Sequence, residues 1–257
     1  MKTPNQIINI IYTILLVVII LSWWLFGISL WWIVLPTAIW TGLKVLGSIF
    51  IHWNFYMRSY CQKKTDQKVI ALSFDDGPDE ANLPDLLNVL DEFQVKATFF
   101  VIGEKAKKHP ALIQQISNNG HVIGNHSYTH ARFFDLFNLS RMFNELLMTR
   151  EQIYKITGAK SLIFRPPYGV TNPNVAKTIQ RLGFKSIGWS IRSLDTSFSP
   201  DKTIERLIKK THPGGIVLLH DTTSDIVRIT RQYLEWLRMQ QYSVISLSHL
   251  LSIEVYE

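Results

Sequence analysis

The stretch Val69-Ile70-Ala71-Leu72-Ser73-Phe74-Asp75-Asp76-Gly77-Pro78 decides how this chain is read. Its first four residues are an apolar run of the kind that forms a buried strand. Two adjacent carboxylates stand where that strand ends, and Gly77-Pro78 turns the chain away. Neighbours on an extended chain point to opposite sides, so one carboxylate could bind a metal while the other handles a proton. Two Asp residues opening a polar turn are the plainer alternative, and the surrounding sequence has to choose.

Downstream, apolar runs alternate with helix-length amphipathic stretches. The strands are expected at Val69–Phe74, Ala97–Ile102, Val122–Gly124, Leu162–Phe164, Ser186–Trp189, Ile216–Leu219 and Ser243–Leu247. Helices are expected near Leu83–Phe93, Pro110–Asn119, Ser140–Thr157, Asn174–Leu182, Asp201–Lys210 and Asp225–Gln240. This alternation predicts an α/β fold with a largely parallel sheet, closed as a distorted (β/α) barrel of about seven strands.

Upstream, no charged residue occurs from Ile7 to Leu43, and the apolar character resumes after Lys44 to about Met57. A single crossing needs roughly 20 apolar residues, so two spans are expected, Ile7–Phe26 and Leu30–Phe50. Trp23, Trp24, Trp31 and Trp32 gather at the turn between them, where interfacial Trp belongs. Residues 1–57 are thus expected to form a transmembrane helical hairpin, 58–68 a basic linker and 69–257 the catalytic domain. Lys2, Arg58, Lys63, Lys64 and Lys68 flank the hairpin's open end, and its tip carries no charge. The positive-inside rule then makes the chain a multi-pass protein of the plasma membrane with both ends on the cytoplasmic face. Lys44 is out of place in this scheme unless it snorkels or is lined by protein.

Lys plus Arg number 27 against 20 Asp plus Glu, a formal charge of +7. There is no Lys/Arg block and no glycine-rich phosphate loop, so nucleic acid is not an expected partner. The single Cys61 excludes an intramolecular disulfide and leaves any zinc site to His and carboxylate ligands.

Polar clusters recur at the strand ends, where α/β folds place their sites. Asp75-Asp76, Asn125 to His130, Arg165 to Gly169, Asp195 and His220-Asp221 follow successive strands in phase. On a helical turn the His126/His130 spacing would put both imidazoles on one face. Asp76 would complete a three-ligand metal site with an open position. His220, at the same end of the sheet, is placed for general acid chemistry. Arg165, followed by two stiffening prolines, would favour the ionised form of Asp75 if it lay beside it.

These residues resemble a known family. Ser73-Phe74-Asp75-Asp76-Gly77-Pro78, His126-Ser127-Tyr128-Thr129-His130, Arg165-Pro166-Pro167-Tyr168 and Leu218-Leu219-His220-Asp221 look like the ordered motifs of the polysaccharide deacetylases, the NodB-homology domains of carbohydrate esterase family 4. The resemblance implies a divalent metal, usually Zn2+, and removal of the N-acyl group of an amino sugar. It implies that Asp76, His126 and His130 hold the metal, that Asp75 is the general base and that His220 is the general acid. Arg165 would orient Asp75, Asp195 would tune His220, the Tyr168 N–H would face the oxyanion, and Leu218 would line the acyl pocket. One motif departs from the pattern. In Trp189-Ser190-Ile191-Arg192-Ser193-Leu194-Asp195-Thr196, Arg192 stands where the family commonly has an Asp, and Thr196 where it has a Trp.

The expected substrate is an N-acetylated glycan, either a polymer outside the cytoplasm or an amino sugar on a lipid carrier in the membrane. Hydrolysis of a non-sugar amide C–N bond is the enzymatic alternative. An inactive membrane-bound binding module is the alternative from another class.

Overall fold

The computed structural model describes residues 2–257. Helix α1, Pro4–Phe26, opens on a reciprocal cap: the Thr3 hydroxyl accepts from the Gln6 N–H, and the Gln6 side chain accepts from the Thr3 N–H. Gly27 ends the helix with φ 66°. A 3-10 turn, Leu30–Ile33, leads into α2, Val34–Ile49. The two helices pack as a hairpin. Tyr12 stacks on Trp40 at 4.7 Å between ring centroids, and its hydroxyl lies 2.9 Å from that of Thr37. The Trp40 indole donates to Asn9 Oδ1 at 2.9 Å. Both segments are long and apolar enough to cross a membrane, and most of their large apolar side chains are exposed. Lys44 finds a protein lining, its ammonium 3.7 Å from the Trp40 ring centroid.

The hairpin's base is built into the remainder of the chain. Asn5 N–H donates to the Phe55 carbonyl at 3.1 Å, and the Tyr56 hydroxyl donates to the Lys44 carbonyl at 3.0 Å. Thr171 N–H donates to the Ser48 carbonyl at 3.0 Å. The Phe55 ring occupies the space that a side chain at Gly47 would need.

The elements that follow are β1 (Ser59–Tyr60), β2 (Val69–Gly77), α3 (Leu83–Glu92), β3 (Thr98–Val101), α4 (Gly103–Lys108), α5 (Pro110–Asn118) and β4 (Val122–Asn125). Next come α6 (Leu139–Thr157), β5 (Ile163–Phe164), α7 (Pro173–Leu182), β6 (Lys185–Ile187) and β7 (Ile191–Arg192). The chain ends with α8 (Pro200–Lys210), β8 (Ile216–His220), α9 (Ile226–Met239), β9 (Ser243–Val244) and α10 (Leu247–Leu251). The strand order is β1-β6-β5-β4-β3-β2-β8-β7, with β9 added on β2, and every named pair is parallel. The sheet curls into a half-barrel, as the alternation of elements predicts.

Alternation along β2 separates two cores. Leu72 and Phe74 pack outward with α3 and α9, while Ala71 faces the barrel interior with Phe100, Ile163 and Ile216. Phe74 stacks on Phe99 at 5.1 Å, and burying each ring contributes roughly 1.5–3 kcal/mol.

Some local expectations change. The stretch 58–68 is not wholly a linker, because Ser59–Tyr60 pairs with β6 and the Ser59 hydroxyl meets that of Ser186 at 2.8 Å. The last expected strand stops at Val244, because Ser246 caps α10 by accepting from the His249 N–H. Gly103–Lys108 adds a short helix after β3.

Candidate active site

The end of β2 sets the site. The register slips between Asp75 and Gly77, and Asp76 takes φ 71°. Such an irregularity re-aims a side chain. The expectation that the two carboxylates point to opposite sides therefore fails. Asp75 Oδ2 lies 3.7 Å and Asp76 Oδ1 3.4 Å from the same nitrogen, His126 Nε2. Gly77 must be glycine, since a Cβ there would collide with the Asp221 carboxyl group.

His126 and His130 converge on Asp76, but not through a helix. Ser127 and His130 both take left-handed backbone conformations, with φ 64° and 49°, and fold the segment as a loop. Asn125 Oδ1 accepts from Ser127 N–H, and Ser127 Oγ accepts from His130 N–H. Glu145 on α6 completes the frame. Its carboxylate oxygens, Oε1 and Oε2, accept from the Thr129 hydroxyl, and Oε2 also accepts from the Tyr128 and Thr129 N–H groups. The reading of the sequence missed Glu145. Its signal was an acidic residue on the buried face of a helix, between Met142, Leu146 and Thr149.

The trio Asp76, His126 and His130 fits a metal ion. Their ligand atoms all lie within 4.8 Å of one another. Asp76 Oδ1 is buried and has no hydrogen-bond partner among the described residues, a cost that a cation would remove. His126 Nδ1 is 2.8 Å from the Arg165 carbonyl. A carbonyl only accepts, so Nδ1 carries the proton and the Nε2 lone pair faces Asp76. Burial, reinforced by His126, pushes the His130 pKa down to about 4, which keeps that imidazole neutral and able to ligate. Burial alone would raise the Asp76 pKa, but the neighbouring His126, His130 and His220 imidazoles bring it below the ordinary carboxylate value.

Two carboxylate pairs flank the trio. Arg165 is fully buried and donates from Nη1 to Asp75 Oδ1 at 2.7 Å and to Ser73 Oγ at 2.8 Å. Its Nε and Nη2 donate to the Ile187 and Gly188 carbonyls. Desolvation lowers its pKa, and the Asp75 charge opposes that shift. On the other side, Asp195 Oδ1 accepts from His220 Nδ1 at 2.8 Å, and Oδ2 accepts from the His220 backbone N–H at 2.7 Å. The Ser193 hydroxyl donates to Asp195 Oδ1 at 2.7 Å. Burial alone would lower the His220 pKa, but the hydrogen bond and charge of Asp195, with Asp75 and Asp76, raise it above the ordinary imidazole value. Asp75 and His220 are register partners on β2 and β8.

Tyr168 joins the rim, its ring 4.8 Å from that of His130, with φ 58°. Leu218 faces the interior two residues before His220, with Arg192 beside it on β7. All nine residues singled out from the sequence therefore belong to this end of the sheet. Asp221 is a further resident. It is fully buried, neither carboxyl oxygen has a hydrogen-bond partner among the described residues, and burial pushes its pKa up to about 8.

Comparison with known proteins agrees with this geometry. The sequence profile of the polysaccharide deacetylases matches residues 62–187. The peptidoglycan-N-acetylmuramic acid deacetylase PdaA of Bacillus subtilis (strain 168) is 36% identical over 194 residues, covering 73% of each chain. A chitooligosaccharide deacetylase of Sinorhizobium fredii (strain NBRC 101917 / NGR234) is 34% identical over 170 residues, 65% of this chain and 78% of that one. Among solved structures, the Bc1960 peptidoglycan N-acetylglucosamine deacetylase superposes with a TM-score of 0.74 at 28% identity, covering 77% of this chain and 95% of that one. The chain belongs to the polysaccharide deacetylase family, and with it to the carbohydrate N-deacetylases.

Proposed function

We propose that this chain is a membrane-anchored, metal-dependent hydrolase that removes the N-acetyl (N-acyl) group from an amino sugar of a glycan. The observation that carries the reading is the placement of the Asp76/His126/His130 trio between two ready proton carriers, Asp75 held by Arg165 and His220 held by Asp195. A divalent ion held by the trio, most naturally Zn2+ given its two-imidazole, one-carboxylate donor set, supplies Lewis acidity to the amide carbonyl and lowers the pKa of water.

The chain's own groups divide the remaining work. Asp75 accepts the proton of the attacking water through Oδ2, because Oδ1 is engaged by Arg165. The buried guanidinium orients that carboxylate. His220, protonated on Nδ1 toward Asp195, presents Nε2–H to the departing amine. General acids of this kind contribute roughly 10²–10⁴-fold. The Tyr168 N–H supports the developing oxyanion, while the next two N–H groups are occupied by the Pro166 and Pro167 carbonyls. Leu218 borders the space for the acyl methyl group.

The polymer reading of the substrate draws on the relatives, which are named for peptidoglycan and chitooligosaccharide. Arg192 beside Leu218 favours an anionic substrate, such as an amino sugar on a lipid carrier. The apolar hairpin supports anchoring in the plasma membrane, and the positive-inside count favours the cytoplasmic face. Acetate release from N-acetylglucosamine oligomers and from a lipid-linked N-acetyl amino sugar tests the activity. It should vanish on chelation, return with Zn2+ and be abolished by Asp75→Asn. Unchanged release by Asp75→Asn would sink the assignment. A periplasm-dependent reporter fused after Glu257 should stay silent, and its activity would overturn the cytoplasmic placement.

A further inference from the structure

β1 and β7 are the two end strands of the sheet, and no helix joins β6 to β7. Residues 188–190 pass directly between them, so this side of the barrel has no covering helix of its own. A groove of about 660 Å3 occupies the seam, within the range of roughly 300–1,000 Å3 common for small-molecule sites. Arg58, Arg192, Arg206 and Lys210 line it with His52 and His212, and its lining contains no Asp or Glu. None of the four fixed cations takes part in an ion pair among the described residues.

Several contacts organise these cations. Arg206 Nε donates to the Arg192 carbonyl at 2.8 Å, leaving its terminal nitrogens for another acceptor. The Arg58 guanidinium lies 4.6 Å from the Tyr60 ring centroid, and that of Arg192 lies 5.9 Å from the Trp189 ring. Planar guanidinium groups set on aromatic faces suit the bidentate recognition of phosphate. Like charges gathered around a cavity repel one another, and a bound anion relieves that repulsion.

The groove also has a place in the fold. His52 enters its wall three residues after the end of α2, next to the exposed pair Phe50 and Trp53, whose rings lie 5.0 Å apart. Aromatic residues at the end of an apolar helix favour a membrane–water interface. At the far side, Trp189 packs where a side chain at Gly169 would lie and sits 5.7 Å from Arg165. One wall is thus shared with the active site.

We propose that the seam groove is a phosphate-binding site that takes a phosphodiester- or diphosphate-bearing ligand at the hairpin's base. The groove alone carries this inference, and its readout is binding, so it stands or falls separately from the deacetylase chemistry. The full chain is reconstituted in phosphatidylcholine nanodiscs and titrated calorimetrically with inorganic pyrophosphate. Saturable binding that weakens with salt is expected. The double variants Arg58→Gln/Lys210→Gln and Arg192→Gln/Arg206→Gln should each weaken it by roughly tenfold to a hundredfold, whereas Asp75→Asn should bind as the unaltered chain does. Circular dichroism and melting confirm that the variants fold. Absence of pyrophosphate binding, or an affinity in both double variants equal to that of the unaltered chain, overturns the proposal. The source of the phosphate is assigned by competition. Loss of pyrophosphate binding when phosphatidylglycerol replaces part of the phosphatidylcholine identifies a lipid headgroup. Displacement by a polyprenyl-diphosphate amino sugar identifies a carrier-linked ligand. Displacement by neither identifies a soluble phosphate compound.

Discussion

Replacing Asp195 by Asn tests the proton-donating side of the site. Asp195 receives two donors from His220 at once, Nδ1–H at 2.8 Å and the backbone N–H at 2.7 Å. Asn offers one oxygen and one NH2 group. The backbone N–H can only donate, so the amide oxygen must turn to it and the NH2 group must face Nδ1. His220 then has its lone pair on Nδ1, and the imidazolium loses both its charge partner and its acceptor. The same exchange in a serine-protease triad lowers kcat by roughly 10⁴-fold. Here the loss should match a general-acid contribution of roughly 10²–10⁴-fold. The pH profile provides the sharper test. His220 must be protonated to act, and its raised pKa extends the active range to higher pH. In Asp195→Asn the alkaline limb of kcat/KM should move down by roughly 1–2 pH units, equivalent to about 1.4–2.7 kcal/mol. Acetate release measured from pH 5 to pH 10, about the span that brackets both limbs, supplies the profile. An unmoved alkaline limb with kcat/KM within about threefold of the unaltered chain would refute the reasoning.

Other changes probe the neighbouring groups. Arg165→Met strands Asp75 in the interior and should destabilise the chain by about 3–5 kcal/mol, read by urea unfolding. Arg165→Lys should not restore activity, because one ammonium cannot reproduce the guanidinium's spread of donors to Asp75, Ser73, Ile187 and Gly188. His130→Ala should lower the metal content of the purified chain, measured by elemental analysis, and should remove the rise in melting temperature on adding Zn2+. Asp221 gives a stability signature. Its folded pKa, about 8, lies above the ordinary 3.8, so the folded state binds the extra proton and stability falls as pH rises between those values. Asp221→Asn should flatten that part of the melting-temperature profile, and a parallel profile would show that the buried carboxyl group does not cause the slope.

Much of this site could be read because barrel chemistry collects at strand ends. Asp75-Asp76, His126, Arg165 and His220 each follow an apolar run, and the curl of the sheet brings those ends together. What remained hidden depends on backbone detail and on distant packing. The left-handed Asp76 and the register slip beside it decide that both carboxylates face one way, and no side-chain pattern encodes that choice. The His126/His130 spacing suited a helix, but Ser127 and His130 adopt loop conformations in a segment held by the Asn125, Ser127 and Glu145 side chains. Ser59–Tyr60 was too short and polar to stand out, and becomes a strand only because β6 offers it an edge. The seam groove draws Arg58, Arg192 and Arg206 from separate parts of the chain, so their gathering around one cavity was not visible in the sequence.

The hydrogen bond from Thr171 N–H to the Ser48 carbonyl joins the loop at the rim of the site to the apolar hairpin. Three residues before Thr171 is Tyr168, at the rim of the active site; Ser48 belongs to the last turn of an apolar helix. The rim therefore has a mechanical lever attached to it. If the hairpin spans a bilayer as proposed, a change in its tilt, of the kind that a thicker or thinner bilayer imposes, pulls on the loop at the rim of the site. Detergent, nanodisc and native bilayer can be three different mechanical loads on one catalytic aperture, and turnover compared across them measures that load as much as the chemistry.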